Sequence, residues 1–280
     1  MGKALVVDCG VNMARASAEL GNGSDSAPVL TVIIPVYNEA PTLQQLLERV
    51  AAAPYQKQII VVDDGSTNGT AAVLARWCVY PGIEVLTHDV NRGKGRAIRT
   101  GLERARGQFT IIQDADLEYD PQDYMQVIEP LRLGEAQVVF GSRYSRGIAD
   151  GGPQLLFRIG VSVLNGLVRV LYGVRITDEA TCYKAMPTSL LRLMDLQCER
   201  FEFCPEVTAK ACRLGVAIHE VPISYSARSQ KAGKKIRWRD GFAAVRTLWR
   251  WRRWSKESAC APQGAVACGG NKAPAIVEVN

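Results

Sequence analysis

The chain runs to 280 residues with 47% apolar and 22% charged side chains, the balance of a globular protein large enough for one substantial core or a domain with appendages. No window of about 18 uncharged apolar residues occurs, and no basic stretch leads into an apolar run with a cleavage site, so neither a bilayer-spanning helix nor a secretory signal is expected. The net charge of +6 is gathered locally: residues 228–256 hold eleven Lys or Arg against Asp240 alone, which calls for an anionic partner. Eight cysteines form no CxxC pair and no zinc-like spacing, a pattern of free thiols suited to a reducing cytosol.

Residues 1–28 carry little pattern, and the polar run 21–28 reads as the end of a disordered lead. Val29 to Pro35 reads as a buried strand, with a helix over Pro41 to Ala53. A second strand over Gln58 to Val62 precedes a helix near Thr70 to Trp77. A third over Glu84 to Thr87 precedes a helix over Gly95 to Ala105. Strand Phe109 to Gln113, helix Gln122 to Leu133 and strand Ala136 to Phe140 continue the alternation. Such alternation predicts an α/β fold, a mostly parallel sheet with flanking helices and right-handed crossovers. Its ligand belongs outside the carboxyl ends of the strands. Helices over Leu155 to Leu171 and Phe201 to Leu214 follow, then a strand over Ile218 to Tyr225. A basic, aromatic helix over Gly241 to Trp254 closes the patterned part, and the tail 255–280 is expected to be disordered. One domain over 29–236 with an interfacial helix at 237–254 is the expected organisation.

Every polar motif falls at one of those strand ends. Asp114-Ala115-Asp116 follows the strand that ends at Gln113. Its two carboxylates repel and no cation is expected beside them. A divalent metal bridging a diphosphate would relieve the repulsion, and hard oxygen ligands suit Mg²⁺ or Mn²⁺. Alone, the triplet fits exposed loop carboxylates as well. Pro35-Val36-Tyr37-Asn38-Glu39 closes the first strand and offers polar groups over the sheet edge, or is an ordinary turn. Asp63-Asp64-Gly65-Ser66 closes the second. A carboxylate there can accept from a nucleobase imino N–H or cap the next helix. Asn91-Arg92-Gly93-Lys94-Gly95 sets a cation and two glycines before a helix, an arrangement suited to a phosphate or base contact, or a common glycine-rich turn.

With Gly141-Ser142-Arg143-Tyr144, these segments in this order resemble family 2 glycosyltransferases of the GT-A fold, Rossmann-like nucleotide-diphospho-sugar transferases. Thr177 to Lys184, Phe201 to Glu206, Glu220 to Tyr225 and Gly233 to Ile236 are similar to the dolichyl-phosphate mannosyl- and glucosyltransferase branch. The resemblance spans about Leu30 to Trp254. It implies a nucleoside-sugar site lined by Pro35, Tyr37 and Glu39, with Asp64 toward the base and Lys94 toward phosphate. Asp114 and Asp116, with Ala115 between them, would hold Mg²⁺ or Mn²⁺ and the diphosphate. Glu118 stands where the family often has Gln near the metal, and adds a third candidate ligand. Arg143 and Arg158 would face an anionic acceptor, and with Asp116 they are the catalytic candidates. Arg228 and Lys234 would close over phosphates. Thr181-Cys182-Tyr183 lacks the glycine common in the family at that place.

The implied reaction is inverting transfer of mannose or glucose, from GDP-mannose or UDP-glucose, to a polyprenyl (dolichyl or undecaprenyl) phosphate. A phosphate acceptor is already anionic and needs no strong base. A sugar or protein hydroxyl would need Asp178 or Glu179 to take its proton, since His88 and His219 read as incidental. An inactive nucleotide- or membrane-binding module and a nucleotidyltransferase are the other readings. Trp238, Phe242, Val245, Leu248, Trp249, Trp251 and Trp254 interleave with arginines in the last helix. That pattern suits the headgroup zone of an anionic membrane, on the cytoplasmic face, directly or through a membrane-protein partner. Packing on the domain is the plainer alternative, and no nucleic-acid partner is expected.

Overall fold

The structure, a computed structural model, describes residues 5–6, 28–144, 155–228 and 238–255. Four strands of the first half are β1 (Leu5–Val6), β2 (Leu30–Val36), β3 (Lys57–Asp63) and β4 (Ile83–Thr87). The others are β5 (Phe109–Ile112), β6 (Val138–Ser142), β7 (Lys184–Pro187) and β8 (Ile218–Pro222). They form one sheet in the order β1-β4-β3-β2-β5-β7-β6-β8. β2 runs parallel to β3 and β5, β3 parallel to β4, and β6 parallel to β8. The Val- and Ile-rich runs of β2 and β3 are buried almost throughout, as central strands covered on both faces must be.

Helices α1 (Ala40–Ala52), α2 (Thr70–Trp77), α3 (Lys94–Arg104) and α4 (Tyr124–Arg132) connect the first strands, α4 after a single 3-10 turn at Pro121–Asp123. α1 starts with a proline in its first turn and buries Leu43, Leu46, Leu47 and Val50, the i, i+3, i+4, i+7 stripe of a core-facing helix. The later helices are α5 (Leu155–Tyr172), α6 (Thr188–Leu193), α7 (Phe203–Arg213) and α8 (Trp238–Trp251).

Three differences from the sequence reading are physical. β7 and α6 were not expected, because four residues ending in proline are too short to show a period. β7 nevertheless inserts antiparallel between β5 and β6. Leu5–Val6, inside the expected disordered lead, pairs antiparallel with Leu86 and Thr87. The strand expected to reach Tyr225 stops at Pro222, beyond which Tyr225 makes one isolated bridge to Tyr119. The rest of 1–27, and 256–280, lie outside the described residues.

α5, α7 and α8 share a second core of Leu164, Val168, Ile176, Ala209, Ala244 and Leu248. The Tyr172 hydroxyl donates to the Leu248 carbonyl at 2.5 Å, and Lys210 Nζ lies 4.0 Å from the centre of the Trp251 ring. Trp254 is buried and its carbonyl accepts from Arg213 Nε at 2.9 Å. The last helix is therefore docked on the domain, and Trp251 and Trp254 serve that packing. Among the described residues no helix is long and apolar enough to cross a membrane.

Candidate active site

The carboxyl ends of β2, β3 and β5 lie side by side, since β2 pairs with both others. That register sets Tyr37 to Glu39, Asp64 and Asp114 to Asp116 along one edge. Hydrogen bonds staple the loops together. Asn38 adopts a left-handed φ of 54°; its N–H donates to Ser66 Oγ at 2.9 Å, and its Oδ1 accepts from Thr67 N at 2.8 Å. Thr42 of α1 donates to the Ala115 carbonyl at 2.8 Å and to Glu39 Oε2 at 3.1 Å. Leu117, one residue past the triplet, holds a φ of 62°, a conformation costly for a branched side chain. Such strain is typical where the surrounding structure over-determines a functional loop.

The carboxylates are crowded. Burial pushes the Asp116 carboxyl up to about 7, helped by the charges of Asp114 and Glu118. Contrary to expectation, cations do stand beside the triplet. Lys94 Nζ meets Asp114 Oδ1 at 2.5 Å and donates to Cys182 Sγ at 2.9 Å. Burial opposes its charge, yet Asp114 holds the ammonium well above the usual lysine value. Arg228 arrives from the far end of the domain, donating from Nε to the Asp116 carbonyl at 2.6 Å and from Nη2 to Glu39 Oε2 at 3.0 Å. Pro35 and Tyr37 are half-buried at the end of β2, and Ala115 is buried. Lys234 lies outside the described residues.

Four expectations are corrected by these contacts. Glu118 was a candidate metal ligand, but Oε2 accepts from the Tyr225 hydroxyl at 2.6 Å and Oε1 from Arg228 N at 3.0 Å. It fastens the 225–228 segment over the site. Asp64 was expected to face a base, but its side chain is 3% exposed. Oδ1 meets His88 Nδ1 at 2.7 Å and Arg92 N at 2.9 Å, while Oδ2 accepts from Gly93 N at 2.7 Å. His88 is thus not incidental; its Nε2 also reaches Thr100 Oγ1 at 3.0 Å. It follows directly on β4, at the same sheet edge as the other motifs, and that position was the available signal. Gly93 itself has a φ of 98°, and a Cβ there would sit 2.3 Å from the Glu199 carbonyl oxygen, so no other residue fits this turn.

Arg143 is the fourth. Expected to face an acceptor, it is buried and bidentate on Asp178, with Nε to Oδ2 and Nη2 to Oδ1 both at 2.7 Å. Tyr225, Phe157, Tyr144 and Tyr119 surround its guanidinium, the nearest ring centre at 5.0 Å. Arg158 is half-buried against Tyr144 and makes no ion pair among the described residues. Asp178 is wholly buried, and Glu220 holds its segment by accepting from Thr177 N at 2.8 Å and Asp178 N at 3.1 Å. Burial pushes the Glu179 carboxyl up, with Lys184 offsetting this in part. Thr42 was not singled out in the sequence, and although Glu220 and Tyr225 lie in a segment that carries the resemblance, nothing local shows their partners, 43 and 107 positions away.

No group of three or more His, Cys, Asp or Glu side chains converges into a metal cage among the described residues. The donor chemistry still fits a hard cation that brings its own oxygens. Asp114 and Asp116 are hard oxygen donors one residue apart, and Asp116, whose carboxyl burial raises with help from the charges of Asp114 and Glu118, would be held ionised by such a cation.

A mostly parallel α/β sheet with carboxylates and cations gathered at the carboxyl ends of its strands is the class of protein this geometry defines. The family model for glycosyl transferase family 2 matches residues 31–190, and the chain belongs to that family. It is 31% identical over 233 residues to the low-salt glycan biosynthesis hexosyltransferase Agl6 of Haloferax volcanii, across 82% of this chain and 55% of that protein. It is 30% identical over 236 residues to the polyprenol monophosphomannose synthase of Mycolicibacterium smegmatis, across 78% and 89%. The chain thus spans little more than half of the haloarchaeal relative but most of the mycobacterial one. In structure it is similar to the glucosyl-3-phosphoglycerate synthase of Mycobacterium tuberculosis, solved with Mn²⁺, UDP-glucose and phosphoglyceric acid. The TM-score is 0.61 at 19% identity, over 86% of this chain and 83% of that one, and the shared fold is GT-A.

Proposed function

We propose that the chain transfers a hexose, with inversion, from a nucleoside-diphospho-sugar to a polyprenyl phosphate. The observation that carries the acceptor is the state of Asp178 and Glu179. A hydroxyl acceptor must lose a proton, and these were the carboxylates placed to take it. Asp178 is wholly buried on Arg143, and Glu179 is buried too. A phosphate oxygen is already anionic at neutral pH and needs neither. The mycobacterial relative, a polyprenol monophosphomannose synthase by name, supports the same reading.

The chemistry then rests on charge. The acceptor oxygen displaces the nucleoside diphosphate at the anomeric carbon in one step, which inverts that centre. Negative charge grows on the leaving diphosphate, where Lys94 and Arg228 can offset it. Asp114 and Asp116 would hold a divalent metal, Mg²⁺ or Mn²⁺, which when bound supplies Lewis-acid stabilisation of the same charge. Glu39, Pro35 and Tyr37 would border the nucleoside. Donor and acceptor are tested together by incubating the protein with labelled GDP-mannose or UDP-glucose and membrane lipid extract. One label is expected to become organic-soluble in a chelator-sensitive manner. Label passing only to a water-soluble acceptor would favour the hydroxyl reading.

Such an acceptor places the enzyme at a membrane, peripherally and on the cytoplasmic face. With Trp251 and Trp254 committed to packing, the candidate surface is narrower than the sequence implied. Phe242, Val245 and Trp249 are exposed on α8, beside Arg246 and Arg250. Trp249→Glu with Phe242→Glu should weaken binding to anionic vesicles about tenfold or more and leave the melting temperature unchanged. High salt should weaken wild-type binding without abolishing it, because screening removes only the charge contribution. Equal vesicle binding by variant and wild type would end the membrane proposal.

A further inference from the structure

Tyr144 lies two residues past the end of β6 and gathers two uncommitted groups. Its hydroxyl oxygen is buried, and among the described residues nothing hydrogen-bonds to it. Arg143 and Arg158 both lie against its ring, their Cζ atoms 5.7 and 5.9 Å from the centroid. The two charges are not equally free. Arg143 is neutralised by Asp178, whereas Arg158 has no carboxylate partner among the described residues. Among the described residues, one aromatic ring therefore carries an unsatisfied donor and stands beside a cation with no carboxylate to balance it.

Buried polar groups are nearly always paired, and an exception asks for a reason. A tyrosine present only for its ring would be better replaced by phenylalanine, which buries no unused hydroxyl. Burial pushes the Tyr144 hydroxyl pKa up, so the group remains a neutral donor across the physiological range. A ligand oxygen bearing negative charge would satisfy the donor and balance Arg158 at once; a neutral ligand would do only the first.

We infer that Tyr144 is a positioning residue for the acceptor, its hydroxyl donating to a phosphate oxygen of the polyprenyl phosphate while Arg158 supplies the charge. This rests on the acceptor reading above, and it replaces Arg143, already taken by Asp178, as the second contact. The donor side of the site, at Lys94 and Asp114 to Asp116, is not involved.

Tyr144→Phe keeps the ring and removes one oxygen. Farnesyl phosphate and farnesol serve as probes in a direct binding titration, with UDP and GDP as donor-side controls. Wild type should prefer farnesyl phosphate to farnesol. The variant should bind farnesyl phosphate about tenfold more weakly, the size expected for a hydrogen bond to a charged group. Farnesol, UDP and GDP binding should stay unchanged, and the melting temperature should hold or rise. Unaltered farnesyl phosphate affinity in the variant would overturn the inference and leave the proposed reaction standing. A fall in melting temperature with equal losses for farnesol would also overturn it, by showing a packing role. If wild type showed no preference for the phosphate, the acceptor reading itself would fail and take this inference with it.

Discussion

Replacing Asp116 by Asn is expected to reduce sugar transfer on the order of 100- to 1,000-fold, with the protein still folded. The asparagine keeps the shape and the acceptor for the Glu118 N–H, which lies 3.2 Å from Asp116 Oδ1. What it removes is one anionic donor to the proposed metal. The same substitution has a second signature that needs no substrate. Burial and two neighbouring carboxylates lift the Asp116 carboxyl from 3.8 to about 7. The folded protein therefore binds a proton there that the unfolded chain has already released. That contribution to stability is fully present below pH 3.8 and is lost as pH rises toward 7. Metal-free wild type should melt at a lower temperature at pH 8 than the Asn variant, and the gap should close on acidification. Divalent metal must displace the proton, so Mn²⁺ affinity should fall as pH drops below 7. Transfer by the Asn variant at the wild-type rate, with no change in metal response, would remove Asp116 from the site.

Arg143→Ala should cost about 3–5 kcal/mol of stability, because it strands the buried Asp178 carboxylate. Asp178→Ala should cost a similar amount, stranding the guanidinium among four aromatic rings. Arg143→Met combined with Asp178→Leu should recover much of the loss, since no charge is then left unpaired. Urea denaturation of the three proteins checks this directly. A loss below about 1 kcal/mol in Arg143→Ala would mean a solvent-open pair of the surface kind, and Arg143 would again be available to an acceptor.

The sheet was legible because its central strands are apolar runs and its motifs punctuate them at regular intervals. β2, β3, β4 and β5 lie within a residue or two of their expected bounds, and so the edge carrying Glu39, Asp64 and Asp114 to Asp116 was placed correctly. What each carboxylate does was not legible. Asp64 and Glu118 look like ligand groups in a string of letters, yet one is satisfied by a histidine and two loop amides. The other is satisfied by a tyrosine 107 positions away. The same limit explains Arg143, whose partner is 35 positions distant on a loop that only the sheet order brings close. Cationic Lys94 was recognised, but its approach to Asp114 depends on the crossing of two loops. Periodicity reports which face of an element is buried; it carries no information on which polar groups pair across elements.

The parallel pairing of β6 with β8 has a consequence for where this protein can be cut. The matched family region ends at residue 190, yet β8 supplies five residues of register to β6, from Val138 against Ile218 to Ser142 against Pro222. Glu220 on that strand also holds the Thr177–Asp178 amides. A fragment ending at 190 would expose a raw sheet edge, release the loop that carries the Arg143 partner and uncover the lysines at 184 and 94. The segment that is recognisable by descent is therefore not a segment able to stand alone. Inherited motif and autonomous folding unit have different borders here, and residues 191–222 of the sheet domain belong to the second.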